Sequence, residues 1–246
     1  MARFFLPRNN IRGQTGVIEG SELEHLRKVL RLKAGDRITA FDENGWEHEA
    51  VIRSVTVAQA AVEIVNSYRV ERESPLQLTL AVALTKGEKL EFVIEKATEL
   101  GVQAIVPFAS AYAVPKPDDR RIAARAERWR KIALSATKQS GRTCVPKIWP
   151  LVGFDDLLVH PALPAVRFLC WERESEQSLQ QAHERLREAQ AVLVAVGPEG
   201  GFSASEAERA RRHGFERVHL GRRILRAETA ALTALTLVQF LWGDMN

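Results

Sequence analysis

Two kinds of hydrophobic patterning divide the chain near residue 72. In the first part, short runs of alternating apolar and polar residues predict several strands at close spacing. The expected strands are residues 37–41, 48–57 and 60–65, with a hairpin turn at residues 42–45. A helix over residues 21–30 should precede them, opened by Ser21 and Glu24 as a capping box. Residues 1–72 are therefore expected to form a small β-barrel domain.

In the second part, residues 73–246, apolar runs alternate with helical patterns. The expected strands are residues 76–84, 102–108, 166–171, 191–195 and 217–220. Five helices are expected. The first lies between Glu88 and Gly101, and the next two cover residues 118–139 and 175–189. The fourth runs from a capping box of Ser203 and Glu206 to Gly214, and the last begins at Glu228. This strand–helix order predicts an α/β domain built on a parallel sheet.

A glycine-rich turn, Val196-Gly197-Pro198-Glu199-Gly200-Gly201-Phe202, follows one of the apolar runs. Glycines let the backbone approach a ligand closely, and parallel sheets bind ligands at the carboxyl ends of their strands. A tight connection without a ligand is the alternative. Two further strand ends, at Cys170-Trp171-Glu172 and at residues 220–226, are expected to face the same region.

The charge distribution is compatible with a polyanionic partner. The 246 residues carry a net charge of only +4, but ten lysines and arginines lie between residues 116 and 147 against three acids. Arginines also concentrate near the N-terminus, where Arg27 and Arg31 share a helix face. These surfaces are either solvated faces or contacts for phosphates. The loop expected at residues 138–142 favours recognition, because loops carry many binding residues.

Several function classes are not supported by the sequence. Cys144 and Cys170 match no metal-ligand spacing, and the simple inference is a reduced, cytoplasmic protein. No signal peptide is indicated, and the apolar segment 230–242 is too short and too polar to span a bilayer. There is no zinc constellation, serine triad, Walker loop or dinucleotide fingerprint, and the six histidines are scattered.

Five segments, in order along nearly the whole chain, resemble the RsmE family, which are 16S ribosomal RNA uridine-N3 methyltransferases of the SPOUT superfamily. They are residues 25–31 with Gly35-Asp36, Lys86-Gly87 with residues 96–101, residues 139–142 with Val145-Pro146, residues 196–202 and residues 220–230. Lys138 is a small departure, because an acidic residue before the glutamine is usual.

The resemblance implies a PUA-like β-barrel over residues 1–72 and, over residues 73–246, a SPOUT α/β methyltransferase domain with a C-terminal trefoil knot. It implies S-adenosylmethionine as cofactor, 16S rRNA or the small ribosomal subunit as partner, and a homodimer. The expected cofactor-binding residues are Cys170, Glu172, Val196, Gly197, Pro198, Glu199, Gly200, Gly201, Leu220, Gly221, Arg223, Ile224, Leu225 and Arg226. The expected RNA-binding residues are Arg8, Arg12, Arg27, Arg31, Lys86, Lys138 and Arg142.

Uridine N3 becomes a good nucleophile only after losing its proton. Arg226 or Arg223 is the candidate for stabilising charge on the uracil carbonyls, and Glu199 and Glu228 are the candidate acid–base or orienting groups. For Glu228, helix capping is an equal alternative. Two other functions are open: a non-catalytic RNA-binding ribosome-assembly factor, and an enzyme that binds a nucleotide in the same pocket.

Overall fold

A computed structural model describes residues 1–111 and 119–245, without the side chains of residues 119–121. The chain divides into two compact units. The first consists of Met1–Glu73 together with Thr137–Val145, and the second of Ser74–Ala136 together with Pro146–Asn246. The segment Thr137–Val145 thus joins the first unit from a distant part of the sequence, which the hydrophobic pattern did not indicate.

The first unit is built on one six-stranded sheet. Its elements are β1 (Arg3–Phe5), β2 (Ile11–Arg12), β3 (Thr15–Ile18), helix α1 (Gly20–Glu24), β4 (Arg37–Phe41), β5 (Trp46–Val55) and β6 (Ala60–Arg69). The strand order is β1-β4-β5-β6-β3-β2. The first unit also contains a 3₁₀ turn at Arg8–Asn10 and a π-helical turn at His25–Val29, which directly follows α1. Phe4, Leu26 and Ile38 are fully buried in its core.

The predicted strand at β4 and the hairpin that follows it are confirmed, and β6 runs four residues further than expected. The predicted capping box of Ser21 and Glu24 is wrong. Helix α1 starts at Gly20 with Glu19 as its N-cap, so Ser21 already has helical backbone and cannot cap. Glu24 instead forms an ion pair with Lys28, one turn along the helix.

The second unit contains a parallel seven-stranded sheet. Its elements are β7 (Gln77–Ala83), α2 (Lys89–Glu99), β8 (Ala104–Ala109), α3 (Asp119–Ser140), β9 (Lys147–Ile148), β10 (Val152–Gly153), α4 (Phe154–Leu158), β11 (Val166–Cys170), α5 (Leu179–Arg185), β12 (Ala191–Val196), α6 (Ala204–Arg212), β13 (Glu216–Val218) and α7 (Ala227–Trp242). The strand order is β10-β8-β7-β12-β11-β13, with β9 beside β8. The last four residues of α3 belong to the first unit. The expected α/β class and parallel pairing are confirmed.

Several details of the second part differ from expectation, and the pattern did not predict β9, β10 and α4. Helix α5 starts at Leu179 rather than Ser175, because Ser178 is its N-cap and forms a capping box with Gln181. Ahead of it, Glu174 Oε1 accepts the N–H groups of Ser175 and Glu176. Residues 138–140 form the last turn of α3 rather than a loop. Asp118, the first residue of the helix predicted over residues 118–139 and its expected cap, lies outside the described residues. Within those described, no helix is both long and apolar enough to span a bilayer.

Candidate functional site

Three neighbouring strands of the parallel sheet end at one edge and create a cavity. Strand β12 pairs with β11, and β11 pairs with β13, so the loops that follow them lie side by side. The cavity has a volume of about 260 Å³. Its lining consists of Cys170, Trp171, Glu172, Val196, Gly197, Pro198, Glu199, Gly200, Gly201, His219, Leu220, Gly221, Arg222, Arg223, Ile224, Leu225, Ala227 and Ala230.

The structure brings nearly all the predicted cofactor-binding residues to this cavity. The exception is Arg226, which is not among the lining residues and is the N-cap of α7. Sequence reasoning missed Trp171, His219, Arg222, Ala227 and Ala230. Trp171 and Arg222 stand inside the segments already singled out, whereas Ala227 and Ala230 reach the cavity because they share one face of α7.

Close packing explains two glycines of the loop after β12. A Cβ atom on Gly197 would lie 3.1 Å from the carbonyl carbon of Gly201 and 3.2 Å from the ring of Phe202. Gly201 has a φ of +69°, and its N–H donates to the carbonyl oxygen of Pro198 at 2.9 Å. A Cβ there would lie 2.8 Å from the carboxylate of Glu172. The loop therefore depends on glycine at both positions.

Glu199 is held by an ion pair at the rim of the cavity. Its Oε1 accepts from Lys89 Nζ at 2.9 Å and from the backbone N–H of Lys86 at 3.4 Å. Burial by itself would raise the pKa of Glu199, but these hydrogen bonds outweigh it and leave the pKa below its ordinary value. Glu199 is therefore an anion at neutral pH.

Trp171 forms one wall of the cavity. Its indole Nε1 donates to the carbonyl oxygen of Phe202 at 3.2 Å, and the guanidinium of Arg217 lies 5.3 Å from the centre of its ring. Arg217 also approaches Glu174, whose pKa is lowered chiefly by hydrogen bonds from the backbone N–H groups of Glu176 and Ser175. The wall is thus tied to the loop after β12 by a direct hydrogen bond.

The charged candidates for chemistry differ in their surroundings. Arg223 and Arg226 are exposed and form no ion pair with another described residue. Glu228 lies in the first turn of α7, and its Oε2 is buried without a hydrogen-bond donor among the described residues. Cys170 differs from these charged groups, because burial raises the pKa of its thiol to about 12 and keeps the sulfur neutral.

The predicted RNA-binding residues fall into two groups. Arg8, Arg12, Arg31 and Lys86 are exposed, and Arg27 is half-buried with its guanidinium on the carbonyl oxygen of Val57.

Lys138 and Arg142 point inward instead. Lys138 Nζ lies 2.8 Å from Glu22 Oε1, and Arg142 Nη2 lies 2.6 Å from Glu73 Oε2. Only 4% of the Arg142 side chain is exposed. These two cations therefore stabilise the first unit, and their charge is already matched by carboxylates.

Comparisons with known proteins give two family matches. The model of an RNA methyltransferase domain matches residues 72–239, and the model of an RNA methyltransferase PUA domain matches residues 18–64. Ribosomal RNA small subunit methyltransferase E of Bacillus subtilis is 34% identical over 91% of this chain and 89% of its own length.

Solved structures agree with these matches over the whole chain. The same methyltransferase from Neisseria gonorrhoeae, bound to S-adenosylmethionine, is 36% identical, with a TM-score of 0.88 and 100% of both chains covered. A protein from Legionella pneumophila, solved in complex with S-adenosylmethionine, is 33% identical, with a TM-score of 0.90 and 98% of both chains covered.

Proposed function

The chain belongs to the RNA methyltransferase family of ribosomal RNA small subunit methyltransferase E, and we propose that it methylates N3 of a uridine in 16S rRNA. The broader activity, S-adenosylmethionine-dependent methylation of small-subunit rRNA, follows from its relatives. The observation that carries the proposal is the cavity formed at the ends of β11, β12 and β13. Because the substrate is ribosomal RNA, we place the activity in the cytoplasm.

The residues of the cavity fit S-adenosylmethionine. Aliphatic side chains such as Val196, Ile224 and Leu225 offer apolar walls for a flat adenine. The carboxylates of Glu172 and Glu199 can accept hydrogen bonds from hydroxyl or ammonium groups. A Cβ atom on Gly197 would be crowded by Gly201 and Phe202 at 3.1–3.2 Å, and at this glycine the loop backbone itself forms part of the wall. A ligand with both apolar and cationic parts suits this lining.

Bound S-adenosylmethionine supplies an electrophilic methyl group on a sulfonium centre. The protein must then orient the base and favour the anionic form of uracil. Arg223 and Arg226 are available for this work, because neither is engaged with a described carboxylate. Glu228 carries a buried carboxylate oxygen that has no hydrogen-bond donor in the described part of the chain, which suits an orienting or proton-accepting group better than a cap alone. We assign the stabilisation of the uracil carbonyls to Arg226 or Arg223.

RNA recognition is assigned to the first unit and to the rim of the cavity. Uridine in a base pair hides N3, so the target must be unpaired or extruded. Residues 18–64 match a PUA domain model of RNA methyltransferases, and the first unit carries the cations Arg8, Arg12, Arg27 and Arg31. Lys86 is exposed beside Glu199. Charge reversal of the four arginines should weaken RNA binding in a salt-dependent way.

The finer architecture belongs to the proposal as well. We assign residues 1–72 to a PUA-like barrel and residues 73–246 to a SPOUT domain with a trefoil knot near its C-terminus. We further propose a homodimer through the second unit. The support for it is exposed apolar surface on two helices of this unit: Phe240 on α7 and Phe92 on α2 are exposed to 53% and 46%, and exposed apolar patches mark interaction sites.

Two experiments test the function. Calorimetry with S-adenosylmethionine and with ATP decides which ligand the cavity takes, and ATP binding alone would favour the nucleotide-dependent alternative. Labelled S-adenosylmethionine incubated with unmodified small subunits then tests transfer, and binding without transfer would favour a non-catalytic assembly factor. Arg226→Ala should lower the transfer rate about 100-fold with little effect on cofactor affinity. An equal loss of both would contradict its catalytic role.

A further inference from the structure

An ion pair joins two loops at the carboxyl edge of the sheet. Lys89 is the first residue of α2 and follows strand β7, whereas Glu199 lies in the loop after β12. These two strands are direct neighbours, paired from Gln77 with Ala191 to Val82 with Val196. The 2.9 Å contact between Lys89 Nζ and Glu199 Oε1 thus spans 110 residues of sequence and connects adjacent strand ends.

The same carboxylate also receives a backbone donor from the β7 side. The N–H of Lys86 points to Glu199 Oε1 at 3.4 Å, and Gly87 follows with a φ of +66°. The turn between β7 and α2 therefore presents one ammonium and one amide to a single oxygen atom. Glu199 is the one residue of the loop at residues 197–201 with an ionisable side chain, because the other four are glycine or proline.

We propose that Lys89 is a positioning residue that fixes the loop at residues 197–201 through Glu199, and that Glu199 orients this loop rather than accepting the proton of uridine N3. The proposal rests on the proposed function only for the identity of the ligand and of the proton. The contact itself, which we call the Lys89–Glu199 latch, is a property of the second unit.

The electrostatics of the latch argue against a role as base. A carboxylate that already accepts from an ammonium group gains less from taking up a proton. The lowered pKa of Glu199 agrees with this direction. Glu228, by contrast, has an oxygen atom without a donor among the described residues and lies in the first turn of α7, next to the loop at residues 220–226. The carboxylate of Glu199 is thus suited to positioning the loop, and that of Glu228 to accepting a proton or orienting the base.

The expected size of the effect is modest. The side chains of Lys89 and Glu199 are 37% and 35% exposed, so the pair is partly screened by water. Pairs of this kind contribute little to global stability, and loss of the latch should weaken cofactor binding about two- to fivefold. Without the ion pair, the loop at residues 197–201 should be less ordered and should bind the cofactor more weakly. The midpoint of global unfolding should hardly change.

A mutant cycle tests the latch through cofactor affinity. Lys89→Met, Glu199→Gln and the double variant are compared by calorimetry with S-adenosylmethionine. We expect both single variants to weaken binding alike and the double variant to be no weaker than either. Lys89→Arg should retain wild-type affinity. Lys96→Met is the matched control, because Lys96 lies on the same helix but pairs with Glu95 and Glu99.

Kinetics separates a positioning role from a catalytic one. We expect Lys89→Met and Glu199→Gln to raise the KM for S-adenosylmethionine alike, by about two- to fivefold, and to leave the pH dependence of kcat unshifted. A roughly 100-fold loss of kcat in Glu199→Gln alone, with Lys89→Met unaffected, would overturn the proposal and make Glu199 a catalytic group.

Hydrogen exchange tests the latch without any ligand. The N–H of Gly201 donates a hydrogen bond to the carbonyl oxygen of Pro198, so the rate at which this N–H exchanges reports the order of the loop. Peptides covering residues 197–202 should exchange faster in Lys89→Met than in wild type or Lys96→Met. Unchanged exchange would refute the latch even if methyl transfer is found. Faster exchange without any methyl transfer would instead refute the proposed function and leave the latch standing.

Discussion

Arg31 combines backbone strain with an exposed cation. Its φ is 55°, and it is the one non-glycine residue with a positive φ among those described. It follows the π-helical turn His25–Val29, whose end is closed by a hydrogen bond from the N–H of Leu32 to the carbonyl oxygen of Leu26. Glycine is the usual residue in this left-handed position after a helix. An arginine in this strained position therefore points to a function for its side chain.

The perturbation is Arg31→Gly, which should stabilise the protein while weakening RNA binding. The left-handed conformation costs an L-residue about 1–2 kcal/mol. Glycine also raises the conformational entropy of the unfolded chain, which offsets about 0.4–1 kcal/mol of this gain. The free energy of unfolding should therefore rise by about 0.5–1 kcal/mol. Loss of one phosphate contact should reduce the slope of log K against log salt by about 0.7 for a single strand.

Urea unfolding measures the first effect, and RNA binding at a series of KCl concentrations measures the second. Arg31→Ala is the control, because it removes the guanidinium and leaves the strained backbone. It should bind RNA as weakly as Arg31→Gly without any gain in stability. The reasoning is refuted if Arg31→Gly fails to gain stability over Arg31→Ala, or if both variants bind RNA with the wild-type salt dependence.

Three further variants test other parts of the structure. Gly197→Ala should weaken binding of S-adenosylmethionine about tenfold or more, because the new Cβ atom would press on the ring of Phe202. Calorimetry measures this affinity, and an unchanged value would mean that the loop accommodates the Cβ atom without strain. Glu73→Ala should cost about 3 kcal/mol in urea unfolding, because it removes the carboxylate that holds the buried Arg142; a loss no greater than that of a surface substitution would contradict this. Burial lowers the pKa of His48 below its ordinary 6.5, so the native state loses stability as pH falls below that value. Between about pH 7.5 and about pH 5.5, His48→Gln should lose less stability than wild type, and equal losses would refute the assignment.

The cavity could be anticipated because its signals are local. An apolar run followed by glycines predicts a strand and a close-approach turn, and parallel pairing brings three such ends together. The Lys89–Glu199 latch could not be anticipated, since it requires β7 and β12 to be neighbours although they are distant in sequence. Pairing across a sheet is a property of strand order, which local patterning does not encode.

Charge patterns were the least reliable guide. The basic segment around residues 138–142 suggested an RNA-binding loop, but Lys138 and Arg142 pair with Glu22 and Glu73, more than 60 residues away. Local charge density says nothing of partners brought in by the fold. A similar limit applies to the capping box at Ser21, where the residue types matched but the helix began one position earlier.

The most direct test of the central claim is to identify the methylated nucleoside. Small subunits from cells that lack the modification are incubated with the protein and labelled S-adenosylmethionine, and the rRNA is digested and separated by chromatography with mass spectrometry. We predict that the label appears in one nucleoside, N3-methyluridine, and disappears when Arg226 is replaced by alanine. Label on another base, or on the ribose, would contradict the account.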